Sequence, residues 1–312
     1  MLQRQKSKAV ALMLLSSLCF SVMQIFVKLS AGEIGTFEQT FFRNLVSLFI
    51  ALWMARRAKL NIRKEFQNGK WAIWARSVFG FLGVVLLFYA TANARQMDVA
   101  MLNKSAPVFV TLVAALLLKE KLNFVKIASV AICLVGAYVA LQPSFDSNPL
   151  PLLAALATAM VSGVAYTMVA RCKDLMHPAA VVLHFSVFST VCSVILMLPA
   201  FVLPSPGALL LLVCIGVFAA GGQLFLTYAY QLAPATEVSI YQYSGVVFNA
   251  VLGGLVLGEE LTARSVLGAF IILGAISWVF VYNRRQARLE AGRRADPDFS
   301  PDLSDRKTKK TS

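Results

Sequence analysis

Charge is scarce in this sequence: Asp, Glu, Lys and Arg make up 14% of its 312 residues, against about a quarter in soluble globular domains. With 58% hydrophobic residues and a mean hydropathy of +0.71, the chain falls outside that soluble class and reads as an integral membrane protein. Histidine occurs twice, and the five cysteines (Cys19, Cys133, Cys172, Cys192, Cys214) lie in or at the ends of apolar stretches with no CxxC or metal-like spacing. That pattern argues against a metal centre or a disulfide framework and leaves the thiols as small packing residues. The sequence also has no HExxH, no GxSxG, no Walker A motif and no paired carboxylates within an apolar run. Hydrolytic chemistry and direct ATP drive therefore have no residues to carry them. No catalytic residue, cofactor or metal is expected, and the chain is not read as an enzyme.

Acidic residues are few as well, 15 against 29 basic, for a net charge of +14. The placement of that excess points to a membrane rather than to nucleic acid. Apolar runs of about 20 residues, enough to cross a hydrocarbon core, recur at 9–28, 37–55, 71–92, 98–118, 124–141, 150–170, 179–200, 208–231, 236–257 and 264–282. Stretches such as VTLVAALLL lack the alternation of a membrane β-strand. Alternate loops and the ends of the chain hold 23 Lys and Arg residues, while the opposite loops hold Arg95 and Arg264. The positive-inside rule then places both termini in the cytoplasm, which needs an even number of spans, and ten satisfies it. The first run is longer than a signal-peptide core and lacks a small-residue cleavage site before Phe37, so it is expected to remain a spanning helix.

The most informative segment occurs twice. Tyr89 to Leu122 aligns without a gap on Tyr228 to Leu261, 139 residues later, with 11 of 34 positions identical, among them Tyr89/Tyr228, Ser105/Ser244, Phe109/Phe248 and Glu120/Glu259. The first copy ends in LKEKL beside Lys119, Lys121 and Lys126, whereas the second ends in LGEEL with Glu259 and Glu260. An odd number of spans per half inverts the second copy, and the exchange of charge agrees with that inversion. The expected architecture is all-α: ten transmembrane helices in two inverted five-helix repeats, with cytoplasmic N and C termini. Its parts are a leader at 1–8, a first repeat at 9–141, a linker at 142–149, a second repeat at 150–282 and a basic, disordered tail at 283–312.

Several motifs carry a family resemblance: FFRN around Arg43, the Gly-rich RSVFGFLGVVLLFYA, Pro107 before an apolar run ending in LKEKL, and LTYAYQLAPATEVS with LGEEL before a last run containing Gly268 and Gly274. Together they resemble the drug/metabolite transporter superfamily, specifically its EamA family, over about residues 9 to 282. The resemblance implies a ten-helix carrier of small molecules, often an exporter, without naming the cargo. Val246 stands where the second copy would repeat Pro107.

Ionisable residues inside spans mark functional candidates, because each must face water or a partner. Arg43 and Lys104 each lie six residues beyond the outer start of their span, about 9 Å deep, and Glu38 and Asp98 are out of phase for an intrahelical pair. Two such cations suit a substrate carboxylate or phosphate, with Arg43 as a bidentate fork and Lys104 as a point charge. Pairing across helices with Asp98 or Glu237 is the alternative. Lys28 and Arg76, near the ends of their spans, are read as snorkelling.

At the 139-residue offset Lys104, Asn103 and Asp98 correspond to Tyr243, Gln242 and Glu237. Arg43, Lys104, Asn103, Ser105, Tyr89, Tyr228, Tyr241, Tyr243 and His184 are thus the candidate substrate residues, and Asp98, Glu237 and His184 the candidate coupling residues. At a looser offset of 141 His184 falls opposite Arg43, where an imidazole can relay a proton or simply pack. Gly80, Gly83, Gly221, Gly222, Gly253 and Gly254 permit close helix contacts.

The leading expectation is a secondary carrier moving a small polar or anionic organic metabolite by alternating access. Export of neutral amino acids or aromatic drugs past Tyr89, Tyr228, Tyr241 and Phe248 stays open, as do, from other classes, a channel and a membrane enzyme acting on lipid. Expected partners are a small-molecule substrate and the lipid bilayer, not nucleic acid, with a homodimer left open. The expected location is the plasma membrane, multi-pass, or the inner membrane in a bacterium.

Overall fold

The computed structural model describes residues 2–30, 33–94, 96–145, 148–258 and 262–295, and among these every regular element is helical. Arg95, Glu259, Glu260 and the tail beyond Ala295 lie outside them. In chain order the helices are α1 (Leu2–Ser30), α2 (Thr36–Arg57), α3 (Ile62–Asn68), α4 (Lys70–Asn93), α5 (Gln96–Asn103), α6 (Ala106–Leu117), α7 (Phe124–Leu141), α8 (Pro149–Arg171), α9 (Pro178–Met197), α10 (Pro206–Leu232), α11 (Ala235–Val238), α12 (Ser244–Leu257) and α13 (Ala263–Ala295). Their starts follow local chemistry: Asn123 accepts from the Lys126 N–H at 2.9 Å to cap α7, and Ser205 caps α10 just before Pro206. Such side chains satisfy N–H groups that the first helical turn leaves unpaired.

Nine helical stretches among the described residues are long and apolar enough to cross a membrane. The protein is a multi-pass membrane protein. The second stretch read as a span, α2, is not among the nine, since Glu38, Gln39, Arg43 and Asn44 crowd its first half. It nonetheless packs along α9 and α10, turning Thr40, Asn44, Ser47, Ala51 and Ala55 inward.

The two copies of the repeated segment are not the continuous helices that their apolar runs imply. The first breaks between α5 and α6 at Lys104 and Ser105; the second passes through a 3-10 turn, Ser239–Tyr243, between α11 and α12. Ser244 Oγ donates to the Tyr241 carbonyl at 2.7 Å, and its repeat mate Ser105 donates to Leu102. A side chain that bonds its own backbone competes with the helical ladder, and this pair recurs in both copies. Pro107 enters only the first copy, at the start of α6, where its missing N–H costs little, so it does not explain the shared break.

The long helices pack in pairs that join the halves: α1 with α10, its repeat counterpart α8 with α4, α2 with α9, and α7 with α13. In the last pair the backbones touch. A Cβ at Gly268 would lie 2.5 Å from the Gly136 carbonyl oxygen and 2.6 Å from the Ala140 nitrogen. Overpacking a rigid backbone contact costs roughly 1–3 kcal/mol. Gly268→Ala is therefore expected to lower the thermal midpoint of the purified protein in detergent by several degrees. Gly274→Ala, at an open helical position, is expected to leave it unchanged or slightly raised.

The bundle ends are tied differently. At the end that carries the start of α1, the Glu120 carboxylate accepts from the Ala235 and Thr236 N–H groups, both at 2.9 Å, and from Thr236 Oγ1 at 2.8 Å. Glu237 beside them pairs with Lys6 at 2.9 Å and Lys126 at 3.5 Å. At the opposite end Asp98 accepts from the Ser144 and Phe145 N–H groups at 2.9 and 3.2 Å, pinning the segment between the halves. Helix α13 continues to Ala295, well past residue 283 where the sequence reading starts a disordered tail. The run RRQARLEA is polar but rich in good helix formers, which lets the helix leave the apolar region without ending.

Candidate functional site

A cavity of about 130 Å³ opens between helices of both halves. Arg43 of α2, Arg76, Gly80, Gly83, Val84 and Leu87 of α4 and Asn103 of α5 line it from the first half; Thr158, Ser162, Ala165 and Tyr166 of α8, Phe185 of α9 and Gln223 of α10 line it from the second. Two of these residues are cations and none is a carboxylate.

Arg76 is the anchor. Only 2% exposed, its guanidinium carbon lies 4.0 Å from the centre of the Phe185 ring and 6.0 Å from that of Tyr166. The position depends on Gly80, one turn further along α4, because a Cβ there would come within 2.0 Å of Arg76 Nη1 and 3.0 Å of the Phe185 ring. Glycine opens the slot and phenylalanine floors it. The buried Nε of Arg76 has no hydrogen-bond partner, and no ion pair involves Arg76 among the described residues. An aromatic face contributes about 0.5–2 kcal/mol to holding a cation, far short of the cost of burying one. The remaining demand is for an anion or water in the cavity.

Neutral groups complete the wall. Tyr166 stacks on the buried Tyr230 with ring centres 5.8 Å apart and planes at 21°, and the Tyr230 hydroxyl accepts from Gln242 Nε2. The break between α11 and α12 is thereby coupled to the cavity wall. Gln223, the repeat mate of Val84, lines the cavity with Nε2 buried and unpartnered.

Of the residues singled out from the sequence, Arg43 and Asn103 line this cavity. Lys104, one residue on, does not: its Nζ lies near Gly245, Ser17 and Ser21, on the side of the α5–α6 break facing α1 and α12. Successive helical residues point about 100° apart, so Asn103 and Lys104 cannot share one face. Ser105 is occupied by its own backbone. Tyr89 is 42% exposed and away from the cavity, and Tyr228 packs edge-on against His177. Tyr241 and Tyr243 are buried with unpartnered hydroxyls, Tyr241 beside a smaller cavity with Lys6 and Arg284.

The coupling candidates also lie elsewhere. His184 does not face Arg43: its Nδ1 is 2.8 Å from Ser77 Oγ, and its ring is boxed edge-on by Phe66 and Trp74. Its neighbour Phe185 holds the cavity position, a shift of one residue from the loose repeat offset. Asp98 and Glu237 serve the two ends of the bundle as described. Sequence reasoning passed over Arg76, Tyr166, Phe185 and Gln223. Arg76 stands near the start of its span, where snorkelling is the ordinary reading; the signal that it turns inward is Gly80, four residues later on the same helical face.

Comparison with known proteins places these features in context. A family model described as the EamA-like transporter family matches residues 7–142 and again 149–281. The pseudopaline exporter of Pseudomonas aeruginosa is 30% identical over 271 residues, covering 85% of this chain and 93% of its own. A riboflavin transporter of Vibrio cholerae is 24% identical over 282 residues, with 89% and 94% covered. The human solute carrier family 35 member G1 is 24% identical over 278 residues, with 84% and 76% covered. A solved crystal structure superposes with a TM-score of 0.77 at 18% identity, covering 90% of this chain and 99% of the other, which shows a common fold.

Proposed function

The chain belongs to the EamA-like transporter family, and from that premise we propose that it carries a small organic anion, seated between Arg43 and Arg76, by alternating access. That it is a transporter and not an enzyme follows from the family and its relatives; the cargo and the mechanism are the proposal. One observation carries it: a buried guanidinium with no carboxylate partner among the described residues, sharing with a second cation a cavity walled by both halves. Intramembrane cations are retained where they face a substrate path or a counter-ion, and a guanidinium matches carboxylate or phosphate geometry.

The same reading counts α2 as a tenth span, because the polar residues that depress its hydropathy face the bundle interior. It keeps both termini cytoplasmic, on the basis of the loop charges. Inverted halves can exchange conformations and expose a shared cavity to either side in turn. The exporter among the relatives makes outward movement the favoured direction for this chain.

A second reading, an aromatic neutral cargo, is favoured by Tyr166 and Phe185 in the wall and by the riboflavin transporter among the relatives. Thermal-shift screening of the purified protein against organic anions and aromatic amines separates the two, with anions expected to raise the midpoint. Stabilisation by neutral aromatics alone would favour the second reading. Counterflow of a labelled hit in proteoliposomes is expected of a carrier; conductance without counterflow would instead mark a channel.

A further inference from the structure

The two cations enter the cavity from opposite ends of the bundle. Arg43 is seven residues from the first residue of α2, and Arg76 is six from the first residue of the antiparallel α4. With the first residue of each helix placed at an edge of a core of about 30 Å, a rise of 1.5 Å per residue puts their backbones roughly 10 Å apart in depth. Arg76 is fixed in its slot between Gly80 and Phe185, so it cannot swing freely towards Arg43. A single carboxylate bridging both guanidiniums would need both forks around one group about 2 Å across. Two anionic groups separated by a short carbon chain meet the spacing directly.

The rest of the cavity fits such a molecule. Elsewhere the wall includes apolar Val84, Leu87 and Ala165, with an unpartnered amide donor at Gln223 Nε2 and no carboxylate among the lining residues to repel a second negative charge. We propose that the cargo is a dianion, its two carboxylate or phosphate groups separated by several bonds, one held by Arg43 and the other by Arg76. This rests on the reading of the cavity as an anion site and narrows it to a charge number and a spacing. A monoanion leaves one guanidinium unpaired, and a dianion leaves none.

Isothermal titration of the protein in neutral-lipid nanodiscs at constant ionic strength tests it, with malonate, succinate, glutarate and adipate compared with butyrate. The best diacid is expected to bind at least about 30-fold more tightly than butyrate, the order of one charge-assisted contact, with an optimum in chain length. Arg43→Gln and Arg76→Gln should each bring that diacid to within about threefold of butyrate, whereas Arg76→Lys, which keeps the charge but loses the fork, should retain part of the preference. Should a variant fail to fold, monomethyl succinate on the unaltered protein gives the same reading, being expected to bind about 30-fold more weakly than succinate. Butyrate binding as tightly as every diacid, or a persistent preference in a Gln variant, overturns the dianion while leaving the anion site standing. Binding of neither class overturns both.

Discussion

Arg76→Gln is expected to lower organic-anion uptake by proteoliposomes at least about 30-fold while leaving the thermal midpoint unchanged or higher. The two effects have opposite signs because one residue does two opposed things. The guanidinium is 2% exposed, has no carboxylate partner among the described residues and leaves Nε unpaired, a burial that costs several kcal/mol against the ~0.5–2 kcal/mol returned by the Phe185 face. Replacing it with a neutral amide removes that net cost. In the loaded protein the same guanidinium meets the anion, and losing a desolvated charge-assisted pair costs about 2–5 kcal/mol, or roughly 30- to 4,000-fold in affinity. A residue present only for packing would show the reverse: lost stability, with uptake falling only as folded protein falls. Gly80→Ala makes the finer test, since its Cβ displaces the guanidinium by sterics alone and is expected to weaken uptake without removing any charge. Uptake in Arg76→Gln at the unaltered level would overturn the assignment.

What the sequence shows of this protein and what it hides divide along physical lines. Membrane class and internal repeat are properties of averages over many residues, and composition and a 34-residue alignment report them well. The helical breaks are local backbone events in which Ser105 and Ser244 each bond a carbonyl three residues back, and a hydropathy averaged over a whole span does not register them. The site itself turns on which way a side chain points. Arg43 was legible because charge inside an apolar run must be accommodated; Asn103 and Lys104 were adjacent letters with opposite destinations. Arg76 was discounted by its distance from the end of its span, yet its facing is set by packing against Phe185, a residue 109 positions away. No periodicity within α4 encodes that contact.

Glu120→Ala is expected to destabilise the protein more than any substitution at the other end of the repeat, lowering the thermal midpoint by roughly 5–10 °C. The carboxylate is the shared acceptor for two backbone N–H groups and one hydroxyl at the start of α11, and both donor residues are almost fully buried. Losing a helix cap costs about 1 kcal/mol, and each buried donor left unpaired adds about 1–3 kcal/mol, so a total near 3 kcal/mol remains after water at the bundle end satisfies part of the demand. Glu120→Gln retains an acceptor oxygen and is expected to lose about half as much. Lys126→Met removes a partner of Glu237 and a bond to Thr236 at 3.1 Å, but Lys6 still pairs that carboxylate, so its effect should be smaller. The repeat mates of Thr236, Lys126 and Glu237 are Met97, Ser265 and Asp98, which cannot rebuild the same ionic network at the opposite end. Glu120 ties the end of the first copy to the start of the second, so Glu120→Ala should also speed amide hydrogen exchange across residues 235–243. Unchanged exchange there, together with an unchanged midpoint, would show that these bonds do not hold the halves together.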